Sequence, residues 1–159
     1  MDLTAKISAR LTNLVARRFP DVGRRSTSNQ VEKFRTSGGR KGNTILGRPV
    51  FLLDVVGRKS GEVRPVMLMC TRRSDDLVVV GSAGGSDATP NWYRNLIAAG
   101  NAEVQVGPDR WSVTARQLDN GPERDECWRL ATTLYPGFDD YQRFTDRPIP
   151  VALLERQKP

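Results

Sequence analysis

Apolar positions gather into short runs in the middle of the chain. Val50-Phe51-Leu52-Leu53-Asp54-Val55-Val56 and Pro65-Val66-Met67-Leu68-Met69-Cys70 flank the polar octapeptide Gly57-Arg58-Lys59-Ser60-Gly61-Glu62-Val63-Arg64. Two strand-like runs joined by a short turn predict a β-hairpin, with strands at 49–56 and 64–72. Ser74-Asp75-Asp76 turns the chain into a third strand, Leu77–Ser82, followed by a loop, Ala83–Thr89. Pro90 suits the first position of a helix that runs to Ala99, with Thr89 as its N-cap and Gly100 closing it. Val104, Val106, Trp111, Val113 and Ala115 fit alternating strands at 102–106 and 111–118, with Gly107-Pro108-Asp109 as the turn. Pro122 opens a helix to about Leu134, and an aromatic-rich segment fills 135–144. The last strand is expected at 149–154, where Pro148 and Pro150 suggest an edge or lead-in position.

The N-terminal part has a different pattern. Leu3, Ile7, Leu11, Leu14 and Val15 recur at helical spacing among Lys6, Arg10, Arg17 and Arg18, which predicts a basic amphipathic helix over 2–18. Pro20 and Gly23 are expected to stop it, and the serine-rich stretch 24–30 reads as a linker. Gln30–Arg35 follows as a short helix ended by Gly38-Gly39. The chain thus divides into a leader and linker, 1–30, and one domain, 31–159. Strands dominate that domain and their connections are short, which favours antiparallel pairing. An α+β barrel or sandwich with peripheral helices is the economical architecture.

Charge sharpens the division. Residues 1–48 hold eleven Lys/Arg and three Asp/Glu, a net of +8, and the remainder nets −1, giving +7 for the chain. Such a leader suits an anionic membrane surface, nucleic acid or an anionic ligand. The 159 residues contain no histidine, so no Ser-His-Asp or Cys-His site can be assembled. If this is an enzyme, a bound cofactor supplies the chemistry. Cys70 and Cys127 have no metal-ligand spacing, and free thiols in the cytoplasm are expected. No apolar run reaches the ~18 residues of a membrane span, and the N-terminus lacks a secretory signal pattern.

Two segments carry candidate chemistry. The octapeptide 57–64 combines three cations, a hydroxyl and two glycines. Glycines permit the φ > 0 conformations that let backbone N–H groups converge, and arginine supplies planar donors for phosphate or carboxylate oxygens. An ordinary solvated hairpin turn explains the same composition. The second segment, Gly81-Ser82-Ala83-Gly84-Gly85 followed by Pro90-Asn91-Trp92-Tyr93-Arg94-Asn95-Leu96, puts a glycine loop before a helix N-terminus. Unpaired N–H groups there suit an anionic or carbonyl-bearing ligand. Trp92 could cover a planar ring, or Trp92 and Leu96 could simply be the core face of the helix.

In one order, the chain shows Phe34-Arg35-x-x-Gly38-Gly39, Gly57-Arg58-Lys59-Ser60-Gly61-x-x-Arg64, Ser82-x-Gly84-Gly85-x-x-x-x-Pro90-x-Trp92-Tyr93-x-Asn95-Leu96 and Tyr135-Pro136-x-x-x-x-Tyr141. This combination resembles the deazaflavin-dependent nitroreductases, also described as F-420-dependent quinone reductases, over roughly residues 31–154. The resemblance implies a split β-barrel that binds coenzyme F-420, an 8-hydroxy-5-deazaflavin with a phosphate and an oligoglutamate tail. It implies hydride transfer from the reduced ring to a quinone, a similar hydrophobic acceptor or a nitroaromatic. Arg58, Lys59, Ser60 and Arg64 would hold the phosphate. Pro65, Val66, Met67, Leu68 and Met69 would run beside the ring, and Val80, Gly81, Ser82 and Ala83 would line it from the neighbouring strand. Asn91, Trp92 and Asn95 would close the ring pocket. Tyr135, Phe138 and Tyr141 would meet the acceptor, with Tyr141 and Ser82 as candidate proton donors.

Three positions depart from a characterised pattern of that family. Ala83 replaces a lysine, and Met69 and Phe138 replace tyrosines. These losses weigh toward quinone-type reduction, in which the ring bears the main burden. Lys33, Arg35, Arg40, Lys41 and Arg48 could attract the glutamate tail. Two other readings stand beside this one. The same barrel could hold FMN through the Arg/Lys loop, or the basic leader could make the chain a non-enzymatic binding module. No specific nucleic-acid partner is expected, because the leader has no interleaved aromatics. A cytoplasmic protein with peripheral membrane contact through residues 2–18 is the expected setting.

Overall fold

The computed structural model describes the backbone of residues 20–158 and the side chains of residues 28–158. The amphipathic segment 2–18 lies outside the described residues. The first described element is helix α1, Pro20–Thr36. Pro20 and Gly23, expected to stop a helix, lie within the described helix, and Pro20 is tolerated in a first turn because its missing N–H and fixed φ cost nothing there. The segment 24–30, expected as a linker, lies inside α1, and the expected boundary at residue 30 falls within the helix. Val31 and Phe34 fix its last turns by burial beneath Val50, Leu52 and Met67.

The strands are β1 (Thr44–Ile45), β2 (Arg48–Val56), β3 (Val63–Met69), β4 (Thr71–Arg73), β5 (Asp76–Val80), β6 (Asn101–Val106), β7 (Asp109–Gln117) and β8 (Val151–Arg156). Helices α2 (Asn91–Ala99), α3 (Pro122–Leu134) and α4 (Gly137–Arg143) lie between them. All strand pairs are antiparallel. The hairpin β2–β3 pairs Val56 with Val63 and continues to Val50 with Met69. From β2 the sheet runs through β6, β7, β8 and β5 to β4. Since β4 follows β3 across Cys70, the sheet curls back upon itself with a gap between β3 and β5. The single strand expected over 64–72 is thus broken at Cys70, whose N–H donates to the Pro49 carbonyl at 2.9 Å.

Period-2 alternation decides what each face meets. Phe51, Leu53 and Val55 from β2, Leu77 and Val79 from β5, and Ala152 and Leu154 from β8 fill the interior with Tyr93 and Leu96 of α2. The intervening residues turn outward beneath helices. Val50 and Leu52 meet α1, while Val78, Val151 and Leu153 pack with Cys127 of α3. Both faces are covered, which explains the unbroken apolar runs. Strand β8 lies between β7 and β5, so it is interior and not an edge; Pro148 and Pro150 only lead into it. Helix α2 begins after Pro90, with no side-chain cap from Thr89, and ends on Gly100 at φ 70°.

Candidate functional site

The octapeptide closes the β2–β3 hairpin. The Gly57 N–H donates to the Glu62 carbonyl and the Gly61 N–H to the Gly57 carbonyl, both at 2.8 Å. A Cβ at Gly57 would stand 2.7 Å from Ser60 Oγ and 3.4 Å from Arg64 Nε. The absence of a side chain at the buried Gly57 lets the Ser60 hydroxyl and the Arg64 guanidinium close over the turn together. Arg58 is held from the opposite side: its backbone N–H and Nη1 both donate to Asn95 Oδ1, at 3.3 and 2.7 Å. Lys59 is exposed, and among the described residues the Arg64 guanidinium pairs only with the exposed carboxylate of Glu62, at 3.0 Å. Exposed pairs of that kind contribute little and yield readily to a better anion. The cradle fits a phosphate.

The gap between β3 and β5 holds a cavity of about 320 Å³. Val66, Met67, Leu68 and Met69 of β3 line one side, and Val78, Val79 and Val80 of β5 line another. Ser82, Ala83 and Gly84, then Trp92 of α2, and Tyr135, Phe138 and Tyr141 complete the wall. Apolar side chains dominate it. Strand β3 pairs with β2 alone, so its second edge has backbone donors and acceptors available to a flat ligand.

The loop after β5 has unusual backbone geometry. Ser82 is right-handed, at φ −74° and ψ −38°, whereas Ala83 has φ 49° and Gly84 φ 61°. A right-handed residue followed by a left-handed one turns successive N–H groups toward a common point. Ala83 is one of two cavity-lining non-glycine residues at positive φ; the other is Leu46, at φ 51° in the β1–β2 turn. Backbone strain of this kind collects at functional sites.

Tyr135 and Tyr141 join hydroxyl to hydroxyl at 3.0 Å across the aromatic wall. The Phe138 ring meets Tyr135 edge-on at 5.2 Å between centroids. Burial, reinforced by the hydrogen bond with Tyr135, pushes the Tyr141 phenol up to about 12. Tyr141 therefore keeps its proton at neutral pH, in a position to donate a hydrogen bond into the cavity.

Most residues singled out from the sequence come together here, and some do not. Val66–Met69, Val80, Ser82, Ala83, Trp92, Tyr135, Phe138 and Tyr141 line the cavity, and Arg58, Lys59 and Ser60 share the hairpin loop with Arg64 at the start of β3. Gly81 packs behind the cavity, where a Cβ would lie 2.9 Å from the Pro150 ring. Pro65 and Asn91 are exposed and absent from the cavity wall, while Asn95 turns to Arg58. Sequence reasoning missed Ile45 and Leu46, which line the cavity from the β1–β2 turn. It also missed Arg147, whose Nε donates to the Ser86 carbonyl at 2.8 Å. Arg147 Nη2 donates to the Gly81 and Ser82 carbonyls, both at 3.0 Å. Neither set carries a local sequence signal, because both act through residues distant in the chain.

Comparisons with known proteins place this arrangement. The family model described as F-420H(2)-dependent quinone reductase matches residues 26–156. The F-420H(2)-dependent quinone reductase Rv1261c of Mycobacterium tuberculosis is 35% identical over 127 residues, covering 78% of this chain and 85% of the relative. A solved F-420-H2 dependent reductase, FDR-A, is 40% identical, covers 68% of this chain and 95% of its own, and superposes with a TM-score of 0.64. A structure described as a domain-swapped dimer is 38% identical, covers 80% of this chain and 96% of its own, and has a TM-score of 0.66. The heme storage protein HutZ of Vibrio cholerae, 9% identical with a TM-score of 0.52 over 82% of this chain and 90% of its own, shares the split-barrel fold alone. Together with the model match over most of the domain, these relatives establish that the chain belongs to the F-420H(2)-dependent quinone reductase family.

Proposed function

We propose that this protein is an oxidoreductase that transfers a hydride from reduced coenzyme F-420 to a quinone. The observation that carries the reading is a cation-rich hairpin loop at 57–64 leading into the strand that lines an apolar cavity, in a chain of this family. Coenzyme F-420 supplies the hydride when bound. The protein's own residues bind, orient and exclude water. Arg58, Lys59, Ser60 and Arg64 would hold the phosphate by charge-assisted bonds, with Asn95 steadying Arg58. Val66 to Met69, with the exposed Pro65 at the start of the run, and Val80, Ser82 and Ala83, backed by Gly81, would flank the ring. Trp92 covers it, and Asn91 belongs to the same helix start. Phe138, Tyr135 and Tyr141 would bound the acceptor, and the Tyr141 hydroxyl, backed by Tyr135, would donate to its oxygen; Ser82 is a further hydroxyl on the cavity wall.

The family match favours F-420 over FMN and an enzyme over a charge-driven binding module. Met69, Ala83 and Phe138 bring no side-chain donor to the cavity wall, which weighs toward a quinone, whose reduction rests mainly on the ring, over a nitroaromatic. The basic leader adds a further element to the proposal. Residues 2–18 lay the enzyme on an anionic membrane surface of the cytoplasmic face, where hydrophobic quinones partition. No helix among the described residues is long and apolar enough to cross a membrane. Deleting residues 1–20 should reduce association with anionic liposomes; unchanged association would refute the membrane element. The double variant Arg58→Ala/Lys59→Ala tests the site, since each lost charge-assisted bond is worth about 1.5–3 kcal/mol. F-420 affinity should fall at least ~10-fold, and a change below about twofold would reduce the loop to a hairpin turn.

A further inference from the structure

We propose that Arg147 is a positioning residue that aims the backbone N–H groups of Ser82 and Ala83 into the cavity. Peptide planes make this a geometric consequence. The Gly81 carbonyl and the Ser82 N–H belong to one plane, and the Ser82 carbonyl and the Ala83 N–H to the next. Every described peptide bond is trans, so each carbonyl points opposite to the N–H of its own plane. Arg147 Nη2 holds both carbonyls, and Nε holds that of Ser86 on the far side of the loop. Fixing the carbonyls behind the loop turns the two N–H groups forward. Neither N–H donates to another group among the described residues, and both residues line the cavity.

Among the described residues the guanidinium's hydrogen-bond acceptors are all main-chain carbonyls of this loop, and Nη1 is buried without a partner. Asp87, the nearby carboxylate, instead accepts from the Thr145 hydroxyl at 2.8 Å. Arginine reaches the three carbonyls from a rigid planar fork with its donors spread over separate nitrogens, whereas a lysine ammonium offers its three donors from one point. Arg147 also ties the loop to the acceptor wall. Its own carbonyl accepts from Gln142 of α4 at 2.9 Å, and α4 carries Phe138 and Tyr141. Gly85 seals the contact, since a Cβ there would stand 2.8 Å from the Tyr141 carbonyl. Resting on the reading of the cavity as the cofactor and acceptor site, Arg147 fixes donor and acceptor walls relative to each other.

The test compares Arg147→Gln and Arg147→Lys with Arg116→Gln, a surface variant remote from the cavity. Amide exchange in the free protein reads the loop directly, through Gly85 and Ser86, whose N–H groups donate to the Ser82 and Ala83 carbonyls. Arg147→Gln should speed exchange at both by about tenfold or more. It should also lower kcat with a quinone by roughly tenfold while F-420 affinity changes less than about threefold, because the phosphate cradle is untouched. Arg147→Lys should fall between, and decides the matter if the glutamine variant does not fold. Unchanged exchange at Gly85 and Ser86, or an equal fall in kcat for Arg116→Gln at equal loss of Tm, would overturn the proposal. If the wild-type protein does not oxidise F-420H2, the functional reading fails, and the exchange result still decides whether Arg147 holds the loop.

Discussion

Arg58 and Asn95 are joined twice, because the backbone N–H and Nη1 of the arginine share one acceptor, Asn95 Oδ1. Asn95 is only 7% exposed and sits on α2, one turn from the cavity-lining Trp92. The pair thus connects the anion loop to the helix that borders the ring cavity. Asn95→Ala should weaken F-420 binding by roughly 10-fold, as expected for a lost hydrogen bond to a charged group. Fluorescence titration with the oxidised cofactor checks it. An unchanged affinity would mean that Arg58 holds its place without Asn95.

Tyr141 offers a proton that survives alkaline conditions. Its phenol, pushed up to about 12 by burial and then by Tyr135, stays protonated through neutral and moderately alkaline pH. Tyr141→Phe should lower kcat for quinone reduction by roughly 10- to 100-fold at unchanged F-420 affinity. In the wild type, the pH profile of kcat should show no alkaline fall from this group below about pH 10. A fall near neutral pH that disappears in Tyr141→Phe would contradict this assignment of the proton.

The motif glycines near residue 38 serve the fold. Gly39, at φ 73°, donates to the Phe34 carbonyl at 2.8 Å and closes α1. A Cβ there would lie 2.4 Å from Gly107 Cα in the β6–β7 turn. Gly39→Ala should cost about 2–4 kcal/mol, combining a left-handed backbone with overpacking against main chain. Urea denaturation should show a lowered midpoint at unchanged m. Stability within about 0.5 kcal/mol of wild type would show that the turn gives way easily.

Acid should loosen the outer side of the barrel at one ion cluster. Glu123 of α3 accepts from Arg116 and Arg73, both at 2.9 Å, and the arginines extend to Glu155 and Glu126. The Arg116 hydrogen bond is the leading cause that holds the Glu123 carboxyl down at about 2, against 4.5 unperturbed. A depressed folded value means stability that is fully present above pH 4.5 and lost as pH falls toward 2. Thermal melts across that window should show a steeper decline for wild type than for Glu123→Gln. Parallel declines would remove the cluster from the acid response.

The extent to which this structure can be read from sequence follows the range of each signal. The β2–β3 hairpin, α2 with its Gly100 ending, and α3 over Pro122–Leu134 have boundaries set by adjacent prolines, glycines and apolar runs. The break at Cys70 was hidden because the apolar run continues through it, and only sheet curvature interrupts the strand. The interior place of β8 was hidden because its prolines stand just before the ladder, where no strand N–H is required. Helix α1 has a polar N-terminal half that looks like linker, while Val31 and Phe34 fix its other half by packing. In the candidate site, the cationic loop and the aromatic wall were legible as residue types. Asn95 was legible as a site residue but not as the partner of Arg58, 37 positions away. Arg147 left no trace, since its acceptors are carbonyls 61 to 66 positions earlier.

The central claim is hydride transfer from F-420H2 within the β3–β5 cavity. The most direct measurement mixes purified protein with F-420H2 and a soluble quinone and follows the return of oxidised F-420 by absorbance. Quinone-dependent, saturable oxidation that is lost in Arg58→Ala/Lys59→Ala is the predicted result. Absence of oxidation above the protein-free rate with any quinone of a panel, together with no F-420 binding and tight FMN binding, would contradict it.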